Sequence, residues 1–339
     1  MATSQLLLSM AAAVPAALLS FVLTWAIRPL LKRLAMDRPN ARSSHRTPTP
    51  QGAGIAVVAA TLGVAGAVVV FADTELMMPS TVFVATLFIA AVGFVDDVRT
   101  IAVVPRLLLQ GAAVAAVIVA APETLRIVPA FPLWFERGLL VLAGLWFVNL
   151  VNFMDGLDLM TVAEIVPVTG ALVLLGWFAK LPPPTTIAAA ALFGAMLGFA
   201  PFNRPVAKIF LGDVGSLPIG LLAGWCLLQL AWHQQIVAAL LLPLYYLTDA
   251  TATLFRRIAR REPFWAAHRT HFYQRATDNG FSPSRVVREL FALNILLAAL
   301  AIGSAVTSSP ATAVVLFIVG GTATALLMRR FSRTPTSSG

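Results

Sequence analysis

Asn149-Leu150-Val151-Asn152-Phe153-Met154-Asp155-Gly156-Leu157-Asp158 decides how the chain is read. It closes the apolar run 139–148, so two amides and two carboxylates stand where hydrocarbon gives way to water. Polar groups at that depth are expensive unless they bind or react. They recur every third residue, and on a regular α-helix each step of three falls about 60° short of a turn. Asn149 and Asp158 would then face opposite ways. The set converges only if the helix tightens or breaks, and Gly156 is the expected break. A single Asn or Asp would read as a helix end meeting water; two of each fit that reading poorly.

Working outward, the 339 residues are 59% hydrophobic and 12% charged, against roughly 25% charged residues in a soluble domain. The chain is therefore read as an integral membrane protein. The first apolar segment, 6–27, is long enough to cross a bilayer. Its basic residues, Arg28, Lys32 and Arg33, follow it, the reverse of a cleavable signal peptide. A retained first helix with the N-terminus outside is expected. Ten further apolar segments follow, at about 53–72, 80–95, 106–121, 138–153, 162–179, 186–202, 215–232, 236–255, 289–306 and 311–328. The expected fold is all-α: one polytopic membrane domain over 1–333 with about eleven transmembrane helices, and a disordered tail at 334–339.

Threading eleven spans from an outside N-terminus puts 21 of the 24 Lys and Arg residues in the cytoplasm, leaving Arg126, Arg137 and Lys180 outside. This is the positive-inside pattern, and it explains the net charge of +9 without a nucleic-acid partner. The same threading puts the polar stretches 37–54, 96–99, 149–158, 203–216 and 256–288 on the cytoplasmic face, with the C-terminus. A catalytic or binding face in the cytoplasm follows. The one cysteine, Cys226, excludes a disulfide within the chain. No convincing internal repeat supports a transporter of inverted-repeat type.

Each motif has a bland reading beside the functional one. Asp96-Asp97 ends the third segment; adjacent carboxylates repel unless a cation lies close, and Arg99 alone could serve. With Asp155 and Asp158 on the same side, a divalent-cation site is expected, and Mg²⁺ takes a few carboxylates plus substrate phosphates. Gly212-Asp213-Val214-Gly215-Ser216 follows Arg204 and Lys208. It would serve as a tight turn, or as a close approach to an anion at a helix start. Between Arg256 and Arg288, His268-Arg269-Thr270-His271 offers two histidines around an arginine. That is too few ligands for zinc but suits a phosphate. The aromatic residues and arginines there also suit membrane lipid head groups. Arg42-Ser43-Ser44-His45-Arg46 is either a polar loop or a basic collar around a phosphate. Asp249, in an apolar segment, is read as a partner of Arg256 or Arg257 and left out of the site.

In this order, Asp96-Asp97, Asn149-x-x-Asn152-x-x-Asp155-Gly156-x-Asp158 and Gly212-Asp213-x-Gly215-Ser216 resemble the bacterial polyprenyl-phosphate N-acetylhexosamine-1-phosphate transferases. This family includes the phospho-N-acetylmuramoyl-pentapeptide transferases, and the resemblance runs from about Arg38 to Arg288. It implies transfer of a sugar-1-phosphate from a UDP-N-acetylhexosamine to undecaprenyl phosphate, with release of UMP, in the bacterial inner membrane. It implies Mg²⁺, or Mn²⁺ in its place, on Asp213 with help from Asn152 or Asp155. Asp96, Asp97, His268 and His271 take catalytic roles, and Asn149, Asp158, Lys208, Arg269, His45 and Arg46 bind substrate. A homodimer is compatible with it. Two departures stand out. Leu159 replaces the glycine that usually follows the last aspartate. The histidine loop lacks the triple histidine of the muramoyl-pentapeptide enzymes and resembles the O-antigen-initiating branch. Among other classes, a cation-coupled transporter would place carboxylates at the midplane. An intramembrane prenyltransferase would use Mg²⁺ but attack carbon and release pyrophosphate.

Overall fold

The computed structural model describes residues 2–37, 48–72, 79–263, 268–307 and 309–333. The chain is almost wholly helical. The helices are α1 Ala2–Leu34, α2 Gly54–Ala72, α3 Ser80–Val98, α4 Val103–Val119, α5 Leu133–Met154, α6 Met160–Trp177, α7 Pro183–Phe199, α8 Asp213–Trp232, α9 Ile236–Leu241, α10 Leu244–Ala259, α11 Phe272–Asp278, α12 Pro283–Thr307 and α13 Pro310–Phe331. The described strands, β1 Met36–Asp37 and β2 Thr49–Pro50, form a two-residue antiparallel pair. Among the described residues, nine helices are long and apolar enough to cross a membrane. The other two expected segments differ. One is α4, of 17 residues, and the other is α9 and α10, a segment broken at Pro243. Proline has no N–H to continue a helix. The protein is a multi-pass membrane protein.

α8 runs through the middle of the bundle. It is buried over most of its length and packs on α3, α5 and α2. α1, α12 and α13 are peripheral and expose Trp25, Ile295 and Ile318, as expected where the neighbour is lipid. A helix that is apolar all round is a core helix or a membrane span, and α8 is both. α3 lies against the start of α8 because Gly93 has no side chain: a Cβ there would stand 2.3 Å from the Asp213 carbonyl oxygen. That contact brings the end of α3, with Asp96 and Asp97, onto the first turn of α8.

The polar stretches meet at one end of the bundle. Gln51 bridges to Phe210 and donates from Nε2 to the Asp97 carbonyl at 3.1 Å. Asn203 Oδ1 accepts from the Leu159 amide at 2.7 Å, and the Tyr273 hydroxyl donates to the Phe153 carbonyl at 3.1 Å. At the link between α4 and α5, Arg126 pairs with Glu136 at 2.6 Å. Arg137 caps the carbonyls of Ile118 and Pro122 at 3.1 and 2.7 Å, so that link is held by its own charges.

Candidate active site

α5 ends at Met154, and Asp155 leaves the helix with φ −82°, ψ 49°. The break that the spacing requires is therefore one residue before Gly156. It turns Asp155 and Asp158 onto the wall of a cavity of about 540 Å³, which Asn152 and Asp213 also line. Asn149 stays behind in α5, donating to Gln110 Oε1 and the Leu145 carbonyl, both at 2.8 Å. It holds α5 to α4 and does not line the cavity.

Asp213 is the first residue of α8. Its Oδ1 accepts from Asn152 Nδ2 at 2.7 Å, and the same amide reaches Ser216 Oγ at 2.9 Å. The carboxyl groups of Asp213 and Asp96 converge on one guanidinium nitrogen. Arg106, from the first turn of α4, lies 2.7 Å from Asp96 Oδ2 and 3.7 Å from Asp213 Oδ2. Asp96 Oδ1 also accepts from the Ile101 amide at 2.6 Å. Asp97 serves the backbone: its two oxygens take the amides of Asp213 and Val214. Gly212, with φ +77°, leaves room for this, since a Cβ would stand 2.5 Å from Asp97 Oδ2.

Asp155 accepts a short hydrogen bond from the Thr161 hydroxyl. Burial, with the nearby charges of Asp97 and Asp158, pushes its carboxyl up to about 6 despite that bond. Asp158 Oδ2 accepts from the Ala207 amide at 3.0 Å, which ties the 203–211 loop to the mouth of the cavity.

The histidine loop is organised by Asp249, the residue that sequence reasoning assigned to an arginine. Its carboxylate is fully buried. Oδ1 faces His271 Nδ1 at 3.1 Å and accepts from the Phe272 amide at 3.0 Å and Thr253 Oγ1 at 3.2 Å. Oδ2 accepts from the Tyr273 amide at 3.2 Å and the Tyr245 hydroxyl at 3.1 Å. Its partner is thus a histidine and a helix start. A carboxylate in an apolar segment, with Tyr245 and Thr253 one helical turn to either side, was the available signal. His268 stacks on His271 with ring centroids 4.9 Å apart. Burial, with His271 and Arg257 nearby, pulls His268 down to about 4. Arg269 pairs with Asp278 at 3.2 Å, Lys208 is exposed, and neither they nor the two histidines line the cavity. His45 and Arg46 lie outside the described residues. Arg106, which the sequence reading counted only as an orientation charge, stands beside two of the site carboxylates.

The residues fit a hard divalent cation in part. Among the described residues no three His, Cys, Asp or Glu side chains are grouped to enclose a metal. Two carboxyl groups do meet, at Asp213 and Asp96. Two carboxylates drawn together need a proton or a cation, and Arg106 supplies one positive charge there. Mg²⁺ is characteristically held by one or two carboxylates, with substrate phosphates and water completing the shell. Asn152 orients Asp213 through its N–H group.

Residues 80–231, the stretch holding the carboxylates, match the family described as Glycosyl transferase family 4. Similar over most of the chain is the "Probable undecaprenyl-phosphate N-acetylglucosaminyl 1-phosphate transferase" of Bacillus subtilis, 26% identical over 85% of this chain and 84% of its own. The "Decaprenyl-phosphate N-acetylglucosaminephosphotransferase" of Mycobacterium tuberculosis is 29% identical over 93% and 88%. A "Phospho-N-acetylmuramoyl-pentapeptide-transferase" of Gluconacetobacter diazotrophicus is 28% identical over 76% and 80%. The chain is thus similar to glycosyl transferase family 4 over residues 80–231, and over most of its length to polyprenyl-phosphate hexosamine-1-phosphate transferases.

Proposed function

We propose that this protein transfers an N-acetylhexosamine-1-phosphate from a UDP-sugar to undecaprenyl phosphate, releasing UMP, on the cytoplasmic face of the bacterial inner membrane. The product would start an O-antigen or related envelope glycan. The observation that carries this reading is the meeting of Asp96, Asp97, Asp213 and Arg106 at the edge of a cavity large enough for a nucleotide sugar.

In this reading the sugar nucleotide lies in the cavity of Asp155 and Asp158, with its diphosphate toward Asp213. A second, apolar cleft of about 190 Å³ lies between α4, α5, α8 and the broken α9–α10 segment, lined by Gly144, Phe147, Gly224 and Pro243 among others. It suits the first isoprene units of the acceptor. An oxygen of the lipid phosphate attacks the sugar-bearing phosphorus. The bond from that phosphorus to the bridging oxygen breaks, and UMP leaves with the oxygen. One phosphoanhydride replaces another, so the reaction is close to balanced and reversible. With a second pKa of roughly 6, the lipid phosphate is largely dianionic at neutral pH and attacks without a strong base. Mg²⁺ held by Asp213 and Asp96 would supply neutralisation of the diphosphate charge. The protein's own part is positioning, which dominates phosphoryl transfer: Asn152 aims Asp213, Arg106 aims Asp96, and Asp97 fixes the helix start. Purified protein given undecaprenyl phosphate, Mg²⁺ and a panel of UDP-N-acetylhexosamines should release UMP with at least one of them. Release of pyrophosphate from a prenyl diphosphate instead would replace this reading with a prenyl transfer.

A further inference from the structure

One polar group on the cavity wall has no task in the mechanism above. Gln274, in α11, lines the cavity. Its side chain is 7% exposed, and its Oε1 has no hydrogen-bond partner among the described residues. The neighbouring Tyr273 hydroxyl donates its proton to the Phe153 carbonyl. Gln274 Oε1 is thus a buried acceptor left over.

The start of α11, which carries Gln274, is held in place from two directions. Asp249 anchors the start of α11 through the amides of Phe272 and Tyr273. Gly156 makes room for the Tyr273 hydroxyl, since a Cβ there would stand 2.1 Å from it. A buried acceptor without a donor costs stability, and a donor on a ligand in the cavity would satisfy it. The rest of the wall is also rich in acceptors: Asp37, Asp155, Asp158 and Asp213. A wall of acceptors suits a ligand rich in O–H and N–H groups. A uridine diphosphate sugar has them in the uracil N–H, the ribose and hexose hydroxyls and the acetamido N–H.

We propose that the Gln274 side-chain carbonyl accepts a hydrogen bond from an N–H or O–H of the sugar-nucleotide donor, making Gln274 a specificity-determining residue of this site. The proposal rests on the sugar-nucleotide reading given above.

The test is calorimetric titration of detergent-solubilised full-length wild type and Gln274→Met with UMP and with the UDP-N-acetylhexosamine the wild type binds best, alongside KM for undecaprenyl phosphate. Gln274→Met should weaken donor binding roughly tenfold to a hundredfold and leave KM for the lipid within about twofold. Loss with both nucleotides assigns the bond to the nucleoside half; loss with the UDP-sugar alone assigns it to the sugar half. Unchanged affinity for both, or an equal loss for the lipid acceptor, overturns the proposal. Gln274→Leu is read in the same way if Gln274→Met shows no cooperative melt. Wild type that binds no uridine nucleotide overturns both this proposal and the reading of the site, whereas binding unaffected by Gln274→Met overturns this proposal alone.

Discussion

Asp97 holds the first two backbone amides of α8, one on each carboxylate oxygen, at 2.9 Å from the Asp213 nitrogen and 3.0 Å from the Val214 nitrogen. The carboxylate from α3 thereby fixes the position from which Asp213 points. Asn at this position would turn an NH₂ toward one of these donors and leave a buried amide unpaired. Asp97→Asn should lower stability by about 1–3 kcal/mol and turnover by roughly a hundredfold or more, because a misplacement of about 1 Å is enough for that. Thermal melting and UMP release on the same preparation check both parts.

Asp249 acts at a distance from the cavity through the His271 ring and the start of α11. Asp249→Asn retains one oxygen but cannot accept at both positions. The variant should lose about 1–3 kcal/mol and become sensitive to protease between 268 and 275. Turnover should fall through displacement of α11. A protease pattern equal to wild type would contradict this role.

Leu159, the departure noted from the resembled family's motif, has a left-handed backbone, φ 63° and ψ 8°. Its amide is committed to Asn203, so the turn cannot relax easily. β-branched side chains tolerate this conformation worst. Leu159→Ile, with hydrophobicity retained, should destabilise the protein by roughly 1–2 kcal/mol, read as a lower melting temperature with the Mg²⁺ dependence unchanged.

His268 is held down to about 4 in the folded protein, first by burial, against an ordinary value near 6.5. Between these values the unfolded chain binds more protons than the folded one, so stability falls as pH drops from about 6.5 toward 4 and is fully present above 6.5. Melting of wild type should decline over that range more steeply than melting of His268→Gln. Equal slopes would show that the ring does not carry the effect.

The helical membrane fold and the meeting of five polar stretches at one end were legible because a bilayer enforces both. Apolar length marks a span, and charge marks its ends. The broken α9–α10 segment was partly hidden, since its residues are apolar on both sides of Pro243. The site was legible as residue types and less so as roles. Asn149 and Asn152 are three apart and look alike, yet one packs α5 on α4 and the other aims Asp213. The helix was expected to break at Gly156 because glycine permits it. It breaks at Asp155, and the hydrogen requirement at Gly156 comes from Tyr273, over a hundred positions away in the chain. Asp249, Arg106 and Gln274 gain their meaning from partners that local spacing cannot supply.

The central claim, that Asp213 with Asp96 forms a cation-dependent centre for sugar-1-phosphate transfer, is tested most directly by UMP release from wild type and Asp213→Ala. Both would be assayed with undecaprenyl phosphate and the accepted UDP-sugar, with Mg²⁺ and with chelator. Wild type should release UMP only with Mg²⁺, and the folded variant should release none above background in either condition. Near-normal, chelator-resistant release by Asp213→Ala would contradict it.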